Sequence, residues 1–456
     1  MSSITKLTTI AWLFLFTSSA GAIAPVSGLV GDGVADESEA IQAAVDAGTG
    51  HLQFERGVYR LTKTIEVDLD RVGPTSLSGG GVARFVMEGQ GPAFSFVGTH
   101  QGTADPKTVK PNVWQNQRAP MVDGIEIVGK HPQAEGIVAS GTMQLTLTRL
   151  QIRNVLHAVR LTKRNRNVTL SECHLYDNRG IGVFLDAVNL HQINLANCHI
   201  SYNRQGGVVA KGSEIRNLQI GTCDIEGNMS PQTQPTANVL LDATGSSLGE
   251  VAIVGCTIQH DHVSPDSANI RIDGRSLKRP FTDEVRHGNI TISDNVLSDV
   301  AVNLDVVGVR ALTVSGNTIW KGYQANVQLQ DCRHVVFSGN VYDRNPRYHY
   351  GDGDEAKLGS VFRQCQHVTV TGDHFAGRTR HAAVLQLIDC AAINVSGCSF
   401  SQVSRVGISV SKVSFGQITG TLFSLQGESS VAIEMDPQSD VTESANRSRS
   451  VGLPPR

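Results

Sequence analysis

Between Gly182 and Gly245 one short pattern is written three times. GVFLDAVN begins at Gly182, GVVAKGSE at Gly207 and NVLLDATG at Asn238. Apolar residues alternate with variable ones, and Asp186, Lys211 and Asp242 occupy the same place. A period of two predicts strands with one face against a core. A second strand follows in each unit: VTLSEC from Val168, INLANC from Ile193, LQIGTC from Leu218 and VAIVGC from Val251. ITISDN, LTVSGN, VVFSGN, VTVTGD and INVSGC continue the series from Ile290, Leu312, Val335, Val368 and Ile393. Its last positions are 173, 198, 223, 256, 295, 317, 340, 373 and 398, so the spacing returns to 22–25 residues with three longer intervals.

Short alternating strands at a fixed period are the signature of a solenoid, in which each unit buries its apolar face only against its neighbours. Helical spacing is nearly absent from the repeats, and Gly, Asn and Asp fill the turns. A leucine-rich horseshoe needs helices, and a propeller needs longer units. The pattern predicts an all-β chain folded as a right-handed parallel β-helix with a short N-terminal capping helix. GDGVADESEAIQAAVDAG, from Gly31 to Gly48, supplies the cap, with Asp36 as N-cap, Glu39 as its capping-box partner and Ile41, Ala44 and Val45 on the apolar face. Asn295, Asn317 and Asn340 are expected to form an inward ladder at a bend. The organisation expected is a secretory signal over 1–22, cap and first coils over 23–120, β-helix coils over 121–436 and a mobile tail over 437–456.

Alternation assigns inner and outer columns. Val183, Val208, Val239, Ile270, Val302 and Val327 are expected to face in. Outside, one column should read Arg160, Phe184, Val209, Leu240, Arg271, Asn303 and Gln328. The next should read Asp186, Lys211, Asp242, Asp273, Asp305 and Gln330. Stacked coils lie roughly 4.8 Å apart, so Asp242 and Asp273 would be near enough to shift one carboxyl upward, as a general acid beside a base requires. Asp186, Asp242, Asp273 and Lys211 are the candidate catalytic groups. No cofactor is expected. A Ca²⁺ ion on Asp186, Asp242 and Asp273 is the one alternative considered, since hard oxygen ligands suit it.

Long insertions fall at both ends of the strand carrying these columns: 227–236, 259–267 and 343–357 at one end, 98–120 and 275–287 at the other. Such loops would wall a groove. Trp114 and Tyr348 lie in two of them and are candidate sugar platforms, or else pins for their own loops. Arg160, Arg204, Arg271, Asp305 and His191 complete the candidate substrate-binding set.

Composition limits the partners. The 456 residues carry a formal charge of -3, with 46 Gly and 5% aromatics. A nucleic-acid partner would call for a basic excess, so none is expected. Lys6, the apolar run Ile10–Phe16 and the small residues Ala20-Gly21-Ala22 read as a secretory signal, placing the protein outside the cell or in a periplasm. That run is too short to span a bilayer, and no membrane partner is expected. Cys173, Cys198, Cys223 and Cys256 hold equivalent repeat positions, which predicts an interior stack in which a disulfide is an option. The oligomeric state stays open.

GDGVADESEAIQAAVDAG, FERGVYRL and the coils from Met121 to Phe423 resemble the pectate-lyase-like superfamily. That resemblance implies the β-helix scaffold and a broad carbohydrate-active class. It carries over no catalytic residues: neither the polygalacturonase-type series nor the DPHE signature of alginate epimerases is present. Three functions remain open: a secreted glycosidase using paired Asp on a polysaccharide, a polysaccharide lyase using Lys or Arg as base on a uronate, and a glycan-binding solenoid without chemistry.

Overall fold

The computed structural model describes residues 25–102, 105–276, 287–343 and 356–451. The expected signal segment lies outside them. Each coil has three strands, as in Val208–Lys211, Glu214–Gly221 and Asp224–Glu226. Each strand pairs in parallel with its counterpart one coil on: Ala237–Asp242, Ser247–Val254 and Thr257–Gln259. The result is a right-handed parallel β-helix with three faces. They are called here the groove sheet, the second sheet and the third sheet, in chain order within a coil.

The recurrent SEC, SGN and SGD endings now have a physical reason. The residue before each ladder position turns the corner from second to third sheet in left-handed backbone. Glu172, Asn197, Thr222, Gly255, Asp294, Gly316, Gly339, Gly372, Gly397 and Gly420 take φ of 52–66° there. Glycine adopts that conformation without Cβ strain, and Asn and Asp tolerate it better than most. The next side chain turns inward. Cys256 N–H donates to Asn295, Asn295 to Asn317, Asn317 to Asn340 and Asn340 to Asp373, at 2.9–3.0 Å. The expected Asn ladder is therefore present, and Asp373 extends it. All eight cysteines are buried, with no disulfide among them.

A second ladder lies at the corner entering the groove sheet. Asn178, Asn203, Asn228, Asn238, Asn269, Asn303 and Asn326 join carboxamide to carboxamide at 2.7–3.1 Å. It sets the register of the groove strands, and it corrects one expectation. Asn303 lies inside the ladder, fully buried, and is not an outward residue. Leu304, not Val302, sits opposite Ile270, and Asp305 is opposite Arg271.

The cap helix runs Ser38–Asp46 and buries Ile41 and Val45. Glu37, not the expected Asp36, is the N-cap residue; Asp36 accepts the Ser38 N–H at 3.1 Å, and Glu39 makes no capping box but pairs with Lys63 at 2.9 Å. At the other end the expected mobile tail is instead coiled through Val451. Val441–Ser444 and Arg447–Val451 pair with Gly416–Thr419 and Leu422–Gln426.

Candidate functional site

On the groove sheet Asp186, Lys211, Asp242 and Asp273 are successive register partners. Beside them runs Val138, Arg160, Phe184, Val209, Leu240, Arg271, Asp305 and Gln328. The polar column thus has an apolar strip, Phe184 to Leu240, along its flank. Asp305 belongs to the flanking column, where its carboxylate meets Arg271 Nε at 2.8 Å. Val307 takes the place beside Asp273 that had been expected for Asp305.

The carboxylates of Asp242 and Asp273 have separate partners. Asp242 Oδ1 accepts the Thr244 N–H at 2.9 Å and its hydroxyl at 2.5 Å. Asp273 holds the Arg275 guanidinium through both oxygens, at 2.9 and 2.5 Å. Arg275 is pulled up in pKa first by that hydrogen bond, and Asp242 adds to the effect. Each carboxylate is therefore engaged by a residue two positions on, Asp242 by Thr244 and Asp273 by Arg275. Asp186, Asp242 and Asp273 do not fit a shared Ca²⁺ ion. Lys211 stands between Asp186 and Asp242 in the column, and among the described residues no group of three His, Cys, Asp or Glu side chains is gathered for a metal.

A different carboxylate pair, two and four coils before Asp242, is joined through Arg160. Arg160 Nη2 lies 3.2 Å from Glu135 Oε2, and its Nη1 lies 3.4 Å from Asp186 Oδ2. The Glu135 side chain is only 7% exposed, that of Asp186 34%. Burial raises the Glu135 carboxyl above its ordinary range; Arg160 opposes this and Asp186 adds to it. Glycosidic hydrolysis uses a pair of carboxyl groups flanking the scissile bond, and here one guanidinium holds two carboxyls on two of its arms. The third arm, Arg160 Nε, is buried without a hydrogen-bond partner, and unmade bonds of that kind ask for an explanation. His157 closes the cluster. Burial first and Arg160 second lower its pKa to about 4. Its Nδ1 accepts the Ile181 N–H at 3.1 Å, so the neutral ring carries its proton on Nε2, and the ring lies 5.1 Å from Phe184.

The remaining candidates are dispersed. Arg271 is on the groove sheet but committed, donating to Asp305 and to the carbonyls of Thr236 and Asp266 at 2.8, 3.4 and 2.6 Å. Arg204 is off the groove, in an open hollow with Tyr202, Glu226 and His260 at the corner leaving the third sheet. His191 is on the second sheet, between Arg166 and Arg216. Trp114, on the short helix Pro111–Asn116, packs on Val109, Val113 and Met143 and so pins its loop. Tyr348 lies outside the described residues.

Glu135 and His157 were not foreseen. Each sits in a weak early copy of the repeat, where the flanking apolar positions give little register. The one available signal was Arg160, already placed on the groove face and in need of an acidic partner.

Over residues 115–258 the sequence matches the family described as the right handed beta helix region. No curated protein matches the chain. Solved structures share its fold. Tailspike protein 3 of bacteriophage CBA120 aligns with a TM-score of 0.55 at 15% identity, covering 92% of this chain and 60% of the tailspike. This chain thus spans less than two thirds of that protein. The N-terminal fragment of gene product 12 of bacteriophage Phi29 gives 0.52 at 12% identity, covering 94% of this chain and 70% of the fragment. A mutant tailspike of E. coli bacteriophage HK620, in complex with a hexasaccharide, gives 0.51 at 11% identity, covering 90% and 76%. At such identities the likeness establishes the fold.

Proposed function

We propose that the protein binds a glycan along the groove sheet and hydrolyses a glycosidic bond between Glu135 and Asp186. The observation that carries this reading is the Arg160 bridge between a buried carboxyl of raised pKa and a more exposed carboxylate. A carboxyl raised by burial, beside a second carboxyl more open to solvent, suits a general acid next to a base or nucleophile. Glu135 would protonate the leaving oxygen. Asp186 would act from the groove side, either as base on the water that attacks the anomeric carbon or as the nucleophile that water later displaces, and Arg160 would hold both in place. The apolar strip from Phe184 suits the C–H face of a sugar ring. Further along, Asp305, Gln328, Gln330, Arg363 and Gln386 line a hollow of about 220 Å³ whose amides and guanidinium suit hydroxyl groups. The hexasaccharide complex of the HK620 tailspike adds support from a protein of the same fold. On this reading the protein acts as a secreted or periplasmic carbohydrate-active enzyme.

One observation favours a second reading. Lys211 is exposed on the groove between Asp186 and Asp242. A lyase would use such an amine to take the proton alpha to a uronate carboxylate. Digestion of a panel of uronate, sulfated and neutral polysaccharides separates the two. Hydrolysis gives new reducing ends without ultraviolet absorbance. Elimination gives unsaturated, absorbing ends, and their appearance would replace the hydrolytic reading with the lyase. Binding without either product would leave a glycan-binding solenoid.

A further inference from the structure

The second sheet carries a cationic column that the groove chemistry does not use. Met143, Arg166, His191, Arg216 and Gly249 are successive register partners. Neighbouring coils are roughly 4.8 Å apart, so three basic side chains follow one another without an acidic one between. Arg164 stands two residues before Arg166, beside Asn189 and Glu214.

These guanidinium groups are spent differently from those on the groove sheet. Arg160, Arg271 and Arg275 all face carboxylates. Arg164 instead donates to the Gly102 carbonyl, and Arg216 donates to the Ile215 carbonyl at 2.8 Å. Among the described residues neither reaches a carboxylate within ion-pair distance. Glu214 is engaged with Asn189. Glu250 acts on His191 against Arg216, Arg166 and Arg164. Burial leads the causes that lower the His191 pKa, and those three guanidiniums follow, so all three act at one place.

The column also has a wall and a floor. The helix Pro111–Asn116 lies over its Met143 end through Val113 and Trp114. The same loop brings in His100, 2% exposed, whose Nδ1 has no hydrogen-bond partner. Past Arg216 the floor is Gly249, where an added Cβ would touch the Arg216 side chain at 3.7–3.8 Å. Arg166 donates to Asn167 Oδ1 at 3.0 Å, whereas the half-buried Arg164 and Arg216 meet backbone carbonyls; half-buried charges held that way are costly in a protein built for stability alone, and guanidinium groups recognise planar oxyanions with two parallel hydrogen bonds.

We infer that this column is a binding site for an oxyanion, the carboxylate or sulfate of an acidic glycan. The inference rests on the glycan reading above and narrows it to a polyanionic polymer. Only the bend at Lys163, with φ of 57°, separates Arg164 from Thr162, the register partner of Asp186. A polymer held at Asp186 would therefore present its next acidic group to the column by passing round one corner.

The test is calorimetric titration of the full chain with an oligogalacturonate, a sulfated oligosaccharide, a neutral oligosaccharide of matched length and a DNA duplex. At least one acidic oligosaccharide should bind, and Arg216→Ala should weaken it about 10- to 100-fold, with neutral binding and the melting temperature unchanged. Arg164→Ala should act in the same direction. Which acidic probe binds identifies the oxyanion. Failure of both acidic probes to bind, equal affinity in Arg216→Ala, or duplex binding as tight as the glycan would each overturn the assignment. The groove reading is scored separately, by turnover in Asp186→Asn.

Discussion

Arg160 meets the buried Glu135 carboxyl at 3.2 Å through one arm of its guanidinium while the other arm holds Asp186. Glu135→Gln preserves a hydrogen-bonding group for Arg160 and removes the proton donor. Turnover should fall by roughly 10²- to 10⁴-fold, the usual worth of a positioned general acid, with glycan affinity retained. The Glu135 carboxyl lies above its ordinary range because of burial. Activity should therefore hold until pH rises through that raised value and then fall, and Glu135→Gln should lose this alkaline limb. Initial rates across pH check both statements.

The two remaining groove carboxylates should behave otherwise. Asp273 is occupied by Arg275 and Asp242 by Thr244. Asp242→Asn and Asp273→Asn are each expected to change turnover less than 10-fold, since neither is free to transfer a proton. A larger loss in Asp242→Asn than in Asp186→Asn would return the chemistry to the Asp242 coil.

Asp373 ends the Asn ladder with a carboxyl where Asn295, Asn317 and Asn340 carry amides. Burial pushes its pKa up to about 6 from 3.8. The folded chain then holds a proton that the unfolded chain releases between about pH 4 and pH 6, so stability from this group declines as pH rises through that window. Asp373→Asn should remove the decline and stabilise the protein at pH 7 by about 2–3 kcal/mol. Urea unfolding at pH 4 and pH 7 measures it.

Asn269 donates to Asn303 and accepts from Asn238, at 2.8 and 2.9 Å, with all three buried. Asn269→Ala leaves a buried amide on each side without its partner. A loss of about 1–3 kcal/mol is expected. Chemical denaturation of the purified variant checks it.

The eight cysteines are buried, and none is in a disulfide. A thiol reagent should find them unreactive in the folded chain, and all eight should react after denaturation under non-reducing conditions. A smaller count after unfolding would reveal disulfides.

The scaffold was legible because strand alternation and the recurring ladder position reinforce each other over many coils. Register within the groove strands was less so. A slip of two residues leaves every side chain on its original face, so VNLDVV from Val302 aligned almost equally well in two ways. The buried Asn breaks that tie: ANVLLD, ANIRID, VNLDVV and ANVQLQ share it at Asn238, Asn269, Asn303 and Asn326. Treating Asn303 as an outward residue moved Asp305 one column aside. The chemistry was harder still, because Asp242 and Asp273 are distinguished from Asp186 by Thr244 and Arg275, residues at a turn that strand periodicity does not place. Glu135 gave no periodic signal of its own.

The most direct test is the release of reducing ends from polysaccharides of uronate, sulfated and neutral type by the native chain and by Asp186→Asn. The groove account expects at least one polysaccharide to be cut by the native chain, and the variant to bind that substrate while cutting it roughly 10²-fold more slowly or worse. Undiminished cutting by Asp186→Asn would contradict it.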